Sequence, residues 1–186
     1  AGSIRHIHGI YYDKYSKSLW CVTGDDNHEC SFIQTFDGFK TIKQIGHGDE
    51  TWRAVSLIFT KDYIYYAMDA EFRQNKIYRL SRKNLTRTSL GNIDGPVYYS
   101  IMKDEKCYFQ VTAELCPSQT DKHASIWEVD NDGIKKIWTK KKDIYPQLLM
   151  PGTVNFPVGE GSPNEFYFHC VGVSGCANKT FKFKSI

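Results

Sequence analysis

Four-strand modules recur along this chain at a spacing of about 44 residues, and that recurrence limits the fold more than any other feature of the sequence. SLWCVTGDD (Ser18 to Asp26) aligns with DYIYYAMDA (Asp62 to Ala70) at an offset of 44, so that Leu19 meets Tyr63, Val22 meets Tyr66 and Asp25 meets Asp69. A further step of 44 reaches KCYFQVTAE (Lys106 to Glu114), where the acid comes one place later as Glu114. A fourth copy, NEFYFHCVGV (Asn164 to Val173), follows a longer insertion and ends without an acid. Three more short runs surround each of the first three copies. The first unit reads HGIYYD, SLWCVTGD, CSFIQTFD, TIKQIGHG; the second RAVSLIFTK, YIYYAMDA, NKIYRLSR, RTSLGNID; the third PVYYSIMKD, CYFQVTAE, ASIWEVD, GIKKIWTK. Turn signals separate the runs, among them Asp37-Gly38, Ser81 to Asn84 and Asn131-Asp132-Gly133. No stretch of useful length has a helical period. The 12 Tyr, 11 Phe and 4 Trp often stand beside Ile, Val or Thr, residue types that fit a pleated, half-buried surface.

Repeated sets of four short strands every 40–50 or so residues are the signature of propeller blades, roughly as kelch and WD repeats show. The expectation is one all-β domain over 1–186, propeller-like, with about four blades of four-stranded antiparallel sheet near 5–48, 49–95, 96–146 and 147–186. The last blade supplies only GTVNFPVG, EFYFHCVG and KTFKFKSI, and Ala1 to Arg5 are too short to add its outer strand. The C-terminal strand is then a bare edge or is paired by another chain, and an open edge invites strand addition. A homo-oligomer joined through that edge is one reading.

The turn TFDGFKTI (Thr35 to Ile42) resembles the Asp-box of sialidase-type propellers, a Ser/Thr-x-Asp-x-Gly-x-Thr-Trp turn between the third and fourth strands of a blade. Thr35, Asp37 and Thr41 match, while Phe39 and Ile42 replace the later glycine and the tryptophan. An aspartate at such a turn accepts backbone N–H bonds that would otherwise go unmet, and Gly38 permits a positive φ. RHIHGIYYDKYSKSLWCVTGDD, WRAVSLIFTKDYIYYAMDAE, NKIYRLSRKN and DGPVYYS extend the likeness to bacterial Asp-box (BNR-repeat), glycosyl hydrolase-like propellers. The chain then looks like the C-terminal half of such a propeller or a shortened relative. In that family the box is structural and lies away from the active site.

Innermost strands line a propeller's channel, so Arg5, His6 and His8 on the first, Arg53 on the second, Tyr98 and Tyr99 on the third and Asn155 on the fourth are candidates to converge. Asp25, Asp69 and Glu114 end successive second strands and would form a carboxylate rim. Two such carboxylates could flank a sugar as acid and base or nucleophile. The sialidase likeness also implies an arginine triad and a Tyr/Glu nucleophile pair, but only Arg53, with Arg5 and Arg73, is available for the triad. His6 and His8 fall on one side of a strand and, with Asp25 or His28, could ligate a divalent metal; no other cofactor is implied. The alternative is structural: hydrogen-bonded channel histidines, carboxylates capping strand ends, and Arg53 beside Trp52 as a buried ion-pair partner.

Charge excludes little but points away from nucleic acid, since the net formal charge is only +3. The densest basic run, KKIWTKKKD, has no interleaved stacking aromatics and reads as a solvated outer strand. No segment is long and apolar enough to span a bilayer as a helix, and the compartment stays open. The cysteines fall as Cys21/Cys30, Cys107/Cys116 and Cys170/Cys176, each bracketing one hairpin; a core of this size needs no staples, and free thiols are expected. Phosphate-binding glycine loops, Cys-x-x-Cys pairs and a G-x-S-x-G elbow are absent. The expected functions are a scaffold that binds a glycan or other small polar ligand, a glycan-active hydrolase or lyase, or a half-propeller working with a second copy or a missing N-terminal half.

Overall fold

In the computed structural model, which describes residues 4–130, 133–157 and 165–184, fifteen strands form four separate antiparallel sheets. The first holds β1 (Ile7–Asp13), β2 (Ser18–Thr23), β3 (Ser31–Thr35) and β4 (Lys43–His47), paired in chain order. The second holds β5 (Leu57–Phe59), β6 (Tyr63–Ala67), β7 (Lys76–Ser81) and β8 (Arg87–Asn92). The third holds β9 (Val97–Lys103), β10 (Lys106–Val111), β11 (His123–Asp130) and β12 (Gly133–Lys141); the fourth holds only β13 (Thr153–Asn155), β14 (Glu165–Val171) and β15 (Thr180–Lys184). These are the blades of a β-propeller. The short last blade is as expected, with β15 at its edge. Ala1 to Ser3, Asn131 and Asp132 of the third-blade turn, and the ends of GTVNFPVG and KTFKFKSI lie outside the described residues.

Alternation along the strands explains how the blades stack. On β6, Ile64 and Tyr66 face the first blade, where Tyr66 meets Phe32 edge-on at 4.7 Å between ring centroids. Ala67, on the other face, joins Cys107, Phe109 and Val111 of β10. Tyr108 turns the opposite way and packs against Phe166 of the fourth blade at 4.5 Å. Every interface between consecutive blades is thus a two-sided apolar layer, which is why β2 and β10 are buried almost throughout and most of β6 is buried.

That stacking corrects the repeat alignment. Val22 faces the second blade while Tyr66 faces back toward the first, so the offset of 44 pairs residues on opposite faces. A one-residue slip in a strand reverses every side chain, and between Val22 and Tyr66 the register shift at Phe32 and Ile33 is such a slip. A 3-10 turn at Glu50–Trp52, which the sequence did not announce, is the one helical element among the described residues.

The turn after β3 has the hydrogen bonds its residues call for. Asp37 accepts from the Thr41 N–H at 2.9 Å and the Thr41 hydroxyl at 2.7 Å, Thr35 donates to the Thr41 carbonyl at 2.7 Å, and Gly38 sits at φ 70°. The six cysteines are free thiols. Burial pushes Cys30, Cys107 and Cys170 up to about 12, so they pack as small apolar groups and not as nucleophiles.

Candidate functional site

Side chains from the first three blades meet in a cavity of about 330 Å³ lined by His6, His8, Asp25, Arg53, Asp69 and Tyr98, with Ile7 and Val55 as its apolar wall. The irregular start of β1 places His6 and His8 on one side, their ring centroids 4.7 Å apart. His8 Nδ1 lies 3.0 Å from the Ala54 carbonyl, which anchors the ring across the blade boundary. Gly24 makes room for it: a Cβ there would stand 2.4 Å from His8 Cε1. The next residue, Asp25, has φ 94°, a strained value for an aspartate, and carries its carboxylate to 3.0 Å from His6 Nδ1 and 3.6 Å from His8 Nε2.

Arg53 follows the 3-10 turn, which Asp49 caps by accepting from the Thr51 N–H at 2.8 Å. Only 6% exposed, its guanidinium donates from Nε to Asp69 at 3.2 Å and from Nη2 to Glu71 at 2.9 Å, and it lies 3.6 Å from Asp25 and 3.8 Å from buried Glu50. Tyr98 donates to Glu114 at 2.8 Å on the far side.

These surroundings set the protonation states. Burial pushes Asp69 up to about 7, because Arg53 only partly offsets the desolvation and Glu114 adds like charge. Burial opposes the charge on Arg53, yet Asp69 and Glu71 outweigh it and hold the guanidinium protonated. Burial, with Asp69 and Glu114 behind it, raises the Tyr98 hydroxyl, so it is a donor and not a phenolate. Burial, with His6 and Arg53 nearby, also lowers His8.

The expected residues are therefore divided. Asp25, Asp69, Arg53, His6 and His8 share the cavity, and Glu114 stands behind Tyr98. Arg5 is a rim residue, exposed and 3.0 Å from Asp26. Tyr99 is a correction: alternation along β9 turns it away from the cavity, and it is 44% exposed in an adjoining groove. Asn155 is another, since it lines neither space and leaves its buried Oδ1 without a partner among the described residues. His28 is exposed and outside the close donor cluster; Arg73 pairs instead with Asp49 and Glu50. No arginine triad assembles among the described residues, because Arg53 alone enters the cavity. His6, His8 and Asp25 do form a donor cluster, with one ligand atom each and all within 4.8 Å of one another. Sequence reasoning missed Glu50, in the 3-10 turn before Arg53, and Glu71, two residues after the marked Asp69.

The groove, about 580 Å³, shares His8, Val55 and Tyr98 with the cavity and adds aromatic walls from Tyr11, Tyr99 and Phe156. The Tyr11 hydroxyl donates to the Val55 carbonyl and fixes that wall. A separate cavity of about 540 Å³ opens at the other end of the blades, among Tyr15, Lys43, Lys61 and Arg82; it holds no comparable cluster of convergent acids and bases.

No protein-family model matches the chain, and no curated protein matches it. Solved structures share its fold, among them two that contain Nup159. The N-terminal domain of Nup159, a β-propeller, aligns over 97% of this chain and 45% of its own at 9% identity and a TM-score of 0.52. A chain from the S. cerevisiae complex of Dbp5 with Nup159, Gle1, IP6 and ADP aligns over 100% of this chain and 46% of its own, at 10% identity and a TM-score of 0.53. The chain thus spans less than half the length of each of these two chains. At such identity the likeness is one of fold alone.

Proposed function

We propose that the chain is a carbohydrate- or polar-ligand-binding propeller scaffold, akin to Asp-box glycosyl hydrolase-like proteins, that works through the cavity around Arg53. The observation that carries this reading is the convergence of Arg53, Asp25, Asp69 and Tyr98, from three blades, beside a groove walled by Tyr11, Tyr99 and Phe156. Polar groups at one end and aromatic faces along the side suit a sugar, whose hydroxyls need hydrogen bonds and whose C–H faces stack on rings. Binding is favoured over turnover because Arg53 is already neutralised by its own carboxylates and Tyr98 is held protonated.

One observation favours a second reading, glycan cleavage. Asp69 titrates near neutral pH, where a proton donor or acceptor works best, and Tyr98–Glu114 is a hydrogen-bonded hydroxyl–carboxylate pair next to it.

The test is saturation-transfer NMR with a panel of neutral, uronate-containing and sialylated oligosaccharides, on the wild type and on Val55→Trp. The indole would fill the junction of cavity and groove without removing a charge. At least one sugar class should bind the wild type, and Val55→Trp should weaken it at least about tenfold, or ~1.4 kcal/mol. Equal binding by Val55→Trp, or no binding by any panel member, would overturn the reading. New reducing ends in the same samples, lost in Asp69→Asn, would move the assignment to cleavage.

A further inference from the structure

We propose that His6, His8 and Asp25 form a binding site for a divalent transition-metal ion of the zinc type, with its open coordination position facing Arg53 and Tyr98. The inference deepens the reading above and rests on this cavity being a ligand site.

Hydrogen-bond polarity fixes the His8 tautomer. The Ala54 carbonyl can only accept, so the His8 nitrogen 3.0 Å from it, Nδ1, carries the proton. In the neutral ring this leaves Nε2 with a lone pair, and Nε2 points at an oxygen of Asp25 3.6 Å away. Two acceptors facing each other at that distance are mutually repulsive unless a cation lies between them. A backbone carbonyl that fixes the tautomer and turns the other nitrogen toward a carboxylate is how metal-ligating histidines are held. His6 completes the set, with Nδ1 3.0 Å from the other Asp25 oxygen.

The spacing is compatible. Bonds of roughly 2.0–2.2 Å in a tetrahedral arrangement put ligand atoms about 3.4 Å apart. His6 lies 3.0 Å from one Asp25 oxygen and His8 3.6 Å from the other, either side of that value, and one donor atom from each residue lies within 4.8 Å of the rest. His6 can close the remaining distance, since it is exposed and precedes the first residue of β1. Two imidazoles and one carboxylate suit zinc and its neighbours and are poor ligands for magnesium or calcium.

Charge does not forbid the ion. Arg5 and Arg53 each approach Asp25 to 3.6 Å, but Arg5 is mostly solvated. Arg53 is engaged by Asp69 and Glu71. Gly24 contributes by leaving space for the His8 ring.

The test is titration of the metal-stripped chain with zinc chloride, followed by calorimetry and by spectra of 15N-labelled histidine. One equivalent should bind, with His8 ligating through Nε2 while Nδ1 keeps its proton. His6→Ala and Asp25→Asn should each weaken binding by more than about 100-fold, beyond the 10–100-fold that loss of a supporting residue costs. His28→Ala should bind as the wild type does. Wild-type affinity in both His6→Ala and Asp25→Asn, or an unchanged His8 spectrum, would overturn the proposal. Zinc uptake without any oligosaccharide binding would leave it standing and sink the broader reading; sugar binding by a chain that takes up no zinc would do the reverse.

Discussion

Replacing Arg82 by methionine will destabilise the chain by about 3–5 kcal/mol at neutral pH, the usual cost of stripping one partner from a buried ion pair. Asp13, at the end of β1, is 0% exposed, and its carboxylate is met by Arg82 through two bonds, Nη1 to Oδ2 at 2.5 Å and Nη2 to Oδ1 at 2.9 Å. Arg82 also donates to the Thr60 carbonyl at 2.7 Å, so one guanidinium ties the first blade to two turns of the second. Lysine could not reproduce the fork. Burial opposes the Asp13 charge, but bonds from Arg82, Ser16 and the Tyr15 N–H outweigh it and hold the carboxyl below its ordinary range. A depressed folded value means the pair's stabilisation is present above the ordinary range and disappears as pH falls through the folded value. The gap between wild type and Arg82→Met in urea unfolding should therefore be widest near neutrality and narrow under acid. A gap below about 1 kcal/mol, the size expected of an exposed pair, would mean that this blade junction is wet.

At a pH well above the Asp69 midpoint, Arg53→Met should cost a similar amount, about 3–5 kcal/mol, for a related reason. The cost should be less at neutral pH, where Asp69 can take a proton instead. Asp69 and Glu50 are both nearly inaccessible, and Arg53 is the cation against Asp69. Methionine would fill much of the volume and leave a desolvated carboxylate unmatched. Arg53→Met/Asp69→Asn should be less destabilised than Arg53→Met alone, because the charge that lost its partner is gone as well. If the two changes simply add in urea unfolding, Arg53 and Asp69 are not coupled and the ionic floor of the cavity is wrong.

The blades were legible because two local signals agree: strand alternation and the Gly- and Asp-bearing turns between strands. The faces were harder. Matching Val22 to Tyr66 paired two buried apolar strand residues but not their orientation, since a bulge such as that at Phe32 and Ile33 consumes a single residue without leaving a mark in composition. Tyr98 and Tyr99 were both expected to converge, although neighbours on a strand face opposite ways, and only the pairing of Tyr99 with Gln110 and the shift beside Val111 decide which enters the cavity. Arg53 was marked as a channel residue by its place at the start of the second inner strand, with a buried ion-pair role beside Trp52 as the alternative. Asp13 and Arg82 went unread, because 69 residues separate them and nothing local binds one to the other. The 3-10 turn that aims Arg53 is three residues long, too short to carry a period.

That side chains from separate blades share one desolvated space can be tested at Asp69. The reporter is the 13C resonance of its carboxyl, followed from acid to alkaline pH in the wild type and in Glu114→Gln. In the wild type the midpoint should lie near 7, far above the ordinary 3.8, with burial as the main cause and Glu114 of the third blade adding to it. In Glu114→Gln it should fall, because a negative neighbour contributed by another blade has been removed. A wild-type midpoint near the ordinary aspartate value, unmoved by Glu114→Gln, would contradict the account.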